Sequence, residues 1–224
     1  MHKKNVAIIY EKNQAFNPIL KWFHSLRYKK ILKIFNELRS GISDRPIHIL
    51  EIGGGSCKLF GVLNGMFGIK YACIEIEETF VDVAKKKYSQ YPNFSITHGS
   101  ATDFDVYQKL QWKPDVVVAL ETLEHIPEHN VVRLVEYIAK MQPTIFVCSV
   151  PVEVGPIVWV KNIGSLLMGY VRHKEYKWRE TFWGGVIKLD KLPPHGTGHK
   201  GFDWRWLAQT IRHNMKIRHI SKFP

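Results

Sequence analysis

The sequence is poor in features that would assign it to a specialised class. Only three of its 224 residues are cysteines. Cys57, Cys73 and Cys148 each lie in an apolar segment and none belongs to a CxxC pair, which argues against a disulfide framework or a zinc site. No metal is expected, and a reducing, cytoplasmic compartment fits best. No uninterrupted apolar run reaches the about 18 residues of a membrane-spanning helix. The apolar part of the N-terminal stretch MHKKNVAIIYEKNQ is too short for a signal peptide. Internal repeats and low-complexity tracts are also missing, which removes solenoid and disordered classes.

What is present is a chain of ordinary globular composition, 45% hydrophobic and long enough for one substantial core. Its net charge of +12 is unevenly spread. Residues 1–45 hold 10 Lys/Arg against 3 Asp/Glu, residues 46–155 hold 9 against 13, and residues 156–224 hold 13 against 4. The positive flanks could attract a phosphorylated substrate, an anionic membrane surface or a nucleic acid, or serve only as solubilising charge.

Strand-like and helix-like segments alternate, the pattern of an α/β fold with a mainly parallel sheet. Apolar residues Leu20, Phe23, Leu26, Ile31, Phe35 and Leu38 predict an amphipathic N-terminal helix over 15–40, lying as a cap on the core. A core over 46–151 follows. Its predicted strands are 48–52, 71–76, 93–98, 115–120 and 144–150, with helices at about 58–67, up to about 88, and 129–141. Residues 152–202 read as an inserted, basic and aromatic lid, including an amphipathic stretch at 157–171. The chain closes with a helix at about 203–213, capped by Asp203, and a strand at 215–221. The whole reads as one Rossmann-like, doubly wound domain.

The chemistry concentrates after the first strand. Glu51-Ile52-Gly53-Gly54-Gly55 is a glycine-rich strand-to-helix turn that lets a ligand approach the backbone, with an acid that can accept hydrogen bonds from a cationic amine. Such a turn alone is a weak signal. Glu75, twenty residues after Gly55 at the end of the next strand, sharpens it, because a carboxylate there can hold two ribose hydroxyls. A nicotinamide cofactor is disfavoured, since G-x-G-x-x-G is not met: the residue three after Gly55 is Lys58.

With Glu51, Gly53 and Gly55 in place, the sequence resembles the class I S-adenosylmethionine (SAM) dependent methyltransferases over about residues 47–151. That resemblance implies SAM as cofactor. It implies that the Gly53–Gly55 backbone cradles the methionine part, Glu75 holds the ribose and Ile76 lies against the adenine. The third motif is Gly99-Ser100-Ala101-Thr102, with serine where the family commonly has aspartate. The stretch Asp115 to Ile126, with Glu121 and Thr122 after the fourth strand, is similar to the strand and LEH turn of small-molecule members. Cys57 replaces a third glycine of the family's turn, tolerable if it already begins a helix. Trp22 to Arg27 more loosely resembles the N-terminal helix of ubiquinone-biosynthesis O-methyltransferases, which would bring Arg27 to the SAM carboxylate.

Methyl transfer requires two reactants in line and water excluded, and a base only if the acceptor is protonated. His125, just after the fourth strand, is the first candidate base, against a purely local capping role. Glu153, after the fifth strand, could orient a hydroxyl or amine. His199 could line the acceptor pocket; paired with His195 it lacks a third ligand for a metal.

The expected function is methyl transfer to a small-molecule or lipid- or sugar-linked acceptor, with peripheral membrane contact through the basic lid. Two alternatives stand beside it: an RNA-modifying methyltransferase, suggested by aromatics among Lys/Arg at Tyr176, Trp178, Phe182 and Trp183, and a non-catalytic binding module. An unpaired sheet edge at the C-terminal strand could pair with a second copy in a homodimer.

Overall fold

The computed structural model describes residues 18–42, 44–66, 68–152, 155–156, 158–159, 178–186 and 202–221. In chain order these form α1 (Pro18–Gly41), β1 (Ile47–Ile52), α2 (Lys58–Leu63), β2 (Ile69–Glu75), α3 (Glu78–Tyr88), β3 (Phe94–His98), β4 (Val116–Leu120), α4 (Glu128–Met141), β5 (Ile145–Ser149), α5 (Trp178–Gly185) and α6 (Trp204–Asn214). Short 3-10 turns at Phe104–Lys109 and Leu123–His125 follow β3 and β4. Among the described residues no helix is long and apolar enough to cross a membrane.

The five strands form one sheet in the order β3-β2-β1-β4-β5. The β1–β2, β1–β4 and β2–β3 pairs are all parallel. This is the doubly wound α/β architecture expected from the alternating pattern. Its chain order reverses between β1 and β4, the switch point where such sheets leave a crevice at their carboxyl ends. The near-continuous apolar runs of β1 and β4 follow from burial on both faces: Ile47, Ile49, Leu50, Ile52 and Val116 through Ala119 are each 0% exposed.

The contacts divide the chain into two compact units. One contains the described residues through Leu120 with Pro143–Val147; the other contains Glu121–Gln142 and the described residues from Cys148 onward. In the first unit the apolar stripe of α1 enters the core through Ile31, Phe35 and Leu38. A cluster of rings from Phe60, Tyr71, Tyr88, Tyr91 and Phe94 fills the space toward β3, with centroid distances from Phe60 of 4.8 to 5.6 Å. At the amino end of the sheet, Arg45 clamps Asp115 with two hydrogen bonds of 2.7 and 2.6 Å. The His48 amide donates to the same carboxylate at 2.9 Å.

In the second unit α4 packs on α6. Asp203 caps α6 as expected, accepting from the Arg205 amide at 2.9 Å. The Trp159 indole donates to the Thr181 carbonyl at 3.0 Å and occupies the space a side chain at Gly185 would need. Most of the expected lid, including 160–177 and 187–201, lies outside the described residues.

Two expectations are corrected. The strand expected at 215–221 is not formed: residues 216–221 have no regular structure. Lys216, Arg218, His219 and Ile220 are exposed, and alternation alone makes no strand without a ladder partner. The helix expected to run from Lys58 to about Phe67 stops at Leu63, and Asn64–Met66 form a turn, as an Asn-Gly pair favours.

Candidate active site

β1 delivers the chain into the turn, and the three glycines meet two different demands. Gly53 and Gly55 have φ of 66° and 55°, the left-handed region that side chains resist. Gly54 is required by space: a Cβ there would stand 2.6 Å from Glu51 Oε2 and 2.7 Å from Cys73 Sγ. The Gly53 amide donates to the Ile74 carbonyl at 2.8 Å, which fixes the turn to β2. Cys57 also has a positive φ, 54°, and caps α2 rather than belonging to it. The expectation that it already begins the helix is therefore corrected. It occupies a glycine conformation, which explains the family's preference there, and its buried side chain is what the chain gains in exchange.

Glu51 lies beneath this turn, 4% exposed, and accepts a hydrogen bond from the Tyr71 hydroxyl. Burial, and then the Glu75 carboxylate, push its pKa up to about 8. Glu75, at the end of β2, accepts from the Gly55 amide at 2.8 Å and the Glu77 amide at 2.9 Å. Each carboxylate oxygen thus keeps a further lone pair, enough for two hydroxyls, while two backbone donors fix its orientation. Ile76, the next residue, is 61% exposed, an apolar surface beside the acid. The loop after β3 is tied to the same place, since the Gly99 amide donates to the Glu75 carbonyl at 3.0 Å.

Ser100 and Ala101 are partly exposed. The Ser100 hydroxyl meets the Thr102 hydroxyl at 2.8 Å, and the Ala101 carbonyl accepts from Tyr107 at 2.8 Å. The nearest acid, Asp103, caps the following 3-10 turn and does not replace the family's aspartate. Arg27 stands partly exposed on α1.

Within the second unit, Glu121 has φ of 51° and accepts from the Ser149 hydroxyl at 2.9 Å. Thr122 precedes the 3-10 turn, and His125 ends it with an exposed side chain. Glu124, within the same turn, is 0% exposed. Burial first, and the Glu124 charge second, raise the Cys148 thiol to about 12. Glu153, His195 and His199 lie outside the described residues.

This geometry fits a nucleoside-bearing cofactor: an approachable backbone turn, an oriented carboxylate for ribose hydroxyls and an exposed apolar side chain for a flat ring. Comparison with known proteins agrees. Residues 49–142 match a family model described as a methyltransferase domain. Among solved structures, magnesium protoporphyrin IX methyltransferase from Synechocystis PCC 6803 is 19% identical with a TM-score of 0.51, over 67% of each chain. A protein described as a sarcosine dimethylglycine methyltransferase, from Galdieria sulphuraria, is 18% identical with a TM-score of 0.42 over 52% of this chain. The match spans 43% of that protein's length. No curated protein matches. Residues 49–142 of this chain are thus similar to a methyltransferase domain, on a fold shared with a solved methyltransferase structure.

Proposed function

We propose that the chain transfers a methyl group from SAM to a small-molecule or lipid- or sugar-linked acceptor. The observation that carries this reading is the coupling of Glu75 to the glycine turn: one carboxylate is oriented by the amide of Gly55, with exposed Ile76 beside it. In this reading Glu75 takes the ribose hydroxyls, Ile76 the adenine face, and Ser100 and Ala101 the adenine edge. The Gly53–Gly55 backbone takes the amino-acid end, with Arg27 assigned to its carboxylate. SAM supplies a methyl on a sulfonium sulfur, an already activated electrophile. The protein's part is to hold the donor, orient the acceptor and exclude water.

Acceptor handling is assigned to the second unit. His125 is the candidate base, and its exposed imidazole has access to solvent for proton release. Glu121 and Thr122 are assigned to the donor's edge, Glu153 and His199 to the acceptor. A lipid-linked acceptor is favoured over RNA by α5, where Phe182 is 53% exposed next to exposed Arg179 and Val186, the combination that rests at a headgroup layer.

The test is to incubate the full chain with methyl-labelled SAM and separate lipid, small-molecule and RNA fractions. Label is expected in a lipid or small-molecule fraction. Label confined to RNA would replace this acceptor class with the second.

A further inference from the structure

The sheet brings together a donor set that the sequence keeps apart. Glu51 on β1 is the register partner of Cys73 on β2, and the glycine turn returns the chain so that Cys57 faces the same pair. One carboxylate oxygen and two sulfurs then lie within 4.8 Å of one another. All three residues are buried, Cys57 and Cys73 at 0% and 1% exposure. The turn is packed on the cluster, since the space above Gly54 is bounded by Glu51 Oε2 and Cys73 Sγ.

We propose that Glu51, Cys57 and Cys73 form a buried site for a thiophilic, zinc-group dication, held by two thiolates and one carboxylate directly beneath the cofactor turn. Tetrahedral coordination with metal–sulfur distances of about 2.3 Å and metal–oxygen distances of about 2.0 to 2.2 Å places ligand atoms a little under about 4 Å apart. The cluster needs only a small contraction to reach that geometry. Two sulfur ligands select the zinc group over magnesium or calcium, which prefer all-oxygen sites.

On binding below about pH 8, two S–H bonds and the Glu51 carboxyl O–H bond break, two S–metal bonds and one O–metal bond form, and three protons leave to solvent. Without the cation the thiols are protonated. For Cys57, the hydrogen bond shared with Cys73 favours the thiolate, but burial and the Glu51 and Glu75 charges outweigh it. For Cys73 burial dominates. The dication supplies the positive charge that lets two thiolates and a carboxylate share a buried space. The inference is independent of the acceptor and of the reaction.

The test is a cadmium titration of the reduced, full-length chain, followed by the ultraviolet sulfur-to-cadmium charge-transfer band. The band is expected to saturate at one cadmium per chain, while magnesium produces none. Cys57→Ser and Cys73→Ser are each expected to lower the band and weaken binding by at least about tenfold (about 1.4 kcal/mol), and Cys148→Ser to leave both unchanged. Because either serine could disturb the β1–β2 pair, cadmium NMR of the unmodified chain gives an independent reading. A shift characteristic of two thiolate ligands supports the site. A shift characteristic of oxygen or nitrogen ligands only, no band, or a band insensitive to both serine variants overturns it.

Discussion

Gly54 and Glu51 are the residues on which the geometry of the cofactor turn depends most directly. Gly54 has no positive φ, yet any side chain there would collide with a buried carboxylate and a buried sulfur. Overpacking of this kind costs about 1–3 kcal/mol, so Gly54→Ala is expected to lose that much stability in denaturant titration and to lose SAM binding. Unchanged stability would mean that the turn yields freely. Glu51 gives a pH signature. Its folded pKa, about 8, exceeds the about 4.3 of an unfolded glutamate. The folded state therefore binds the extra proton: the contribution is complete below about pH 4 and is lost as pH rises through about 8. Glu51→Gln, neutral at every pH, is expected to gain stability relative to the parent between about pH 5 and pH 9. Parallel stability profiles for the two would place the carboxyl in a more polar setting.

At the level of elements, the β1–β4 pair is anchored at its amino end and functional at the other. Burial alone would raise the Asp115 carboxyl, but the Arg45 guanidinium and the His48 amide together hold it below its usual range. A depressed acid stabilises above its unfolded pKa of about 3.9, and that contribution is lost as pH falls through the lower folded value. Asp115→Asn is expected to remove this acid-dependent component from the urea-unfolding profile while leaving SAM affinity within about twofold (about 0.4 kcal/mol). A collapse of SAM affinity would show that the clamp acts across the sheet. β1, β2 and β4 were legible because burial on two faces leaves near-continuous apolar runs, β3 because Phe94 and Ile96 alternate with polar residues, and α1 because burial on one face leaves a helical stripe. The 215–221 segment misled because Met215 and Ile217 alternate with Lys216 and Arg218 in the way a strand does, while pairing depends on a partner that local sequence does not encode. Glycine at 53 and 55 was legible as a turn; the left-handed Cys57 was not, because its residue type disguises its conformation. The convergence of Glu51, Cys57 and Cys73 needed the register of two strands.

For the whole molecule, charge and exposed aromatic surface carry the acceptor question. Acceptor groups in this fold come from segments outside the sheet, and those segments have no periodic signature that reports a ligand. With 13 Lys/Arg against 4 Asp/Glu over 156–224 and Phe182 exposed on α5, the chain is expected to sediment with anionic vesicles at low salt. It should be released near about 1 M salt, where screening shortens to about 3 Å, and bind severalfold more weakly as Phe182→Ser. Equal binding to neutral vesicles would assign the flanks to solubility alone. The central claim, that the glycine turn and Glu75 hold SAM, is tested most directly by calorimetric titration of SAM and S-adenosylhomocysteine into the parent and Glu75→Ala chains, with NAD as control. The account predicts micromolar binding of SAM or its product to the parent, weakened at least about tenfold (about 1.4 kcal/mol) in the variant, and none of NAD. Binding of NAD in place of SAM, or SAM affinity indifferent to Glu75, would contradict it.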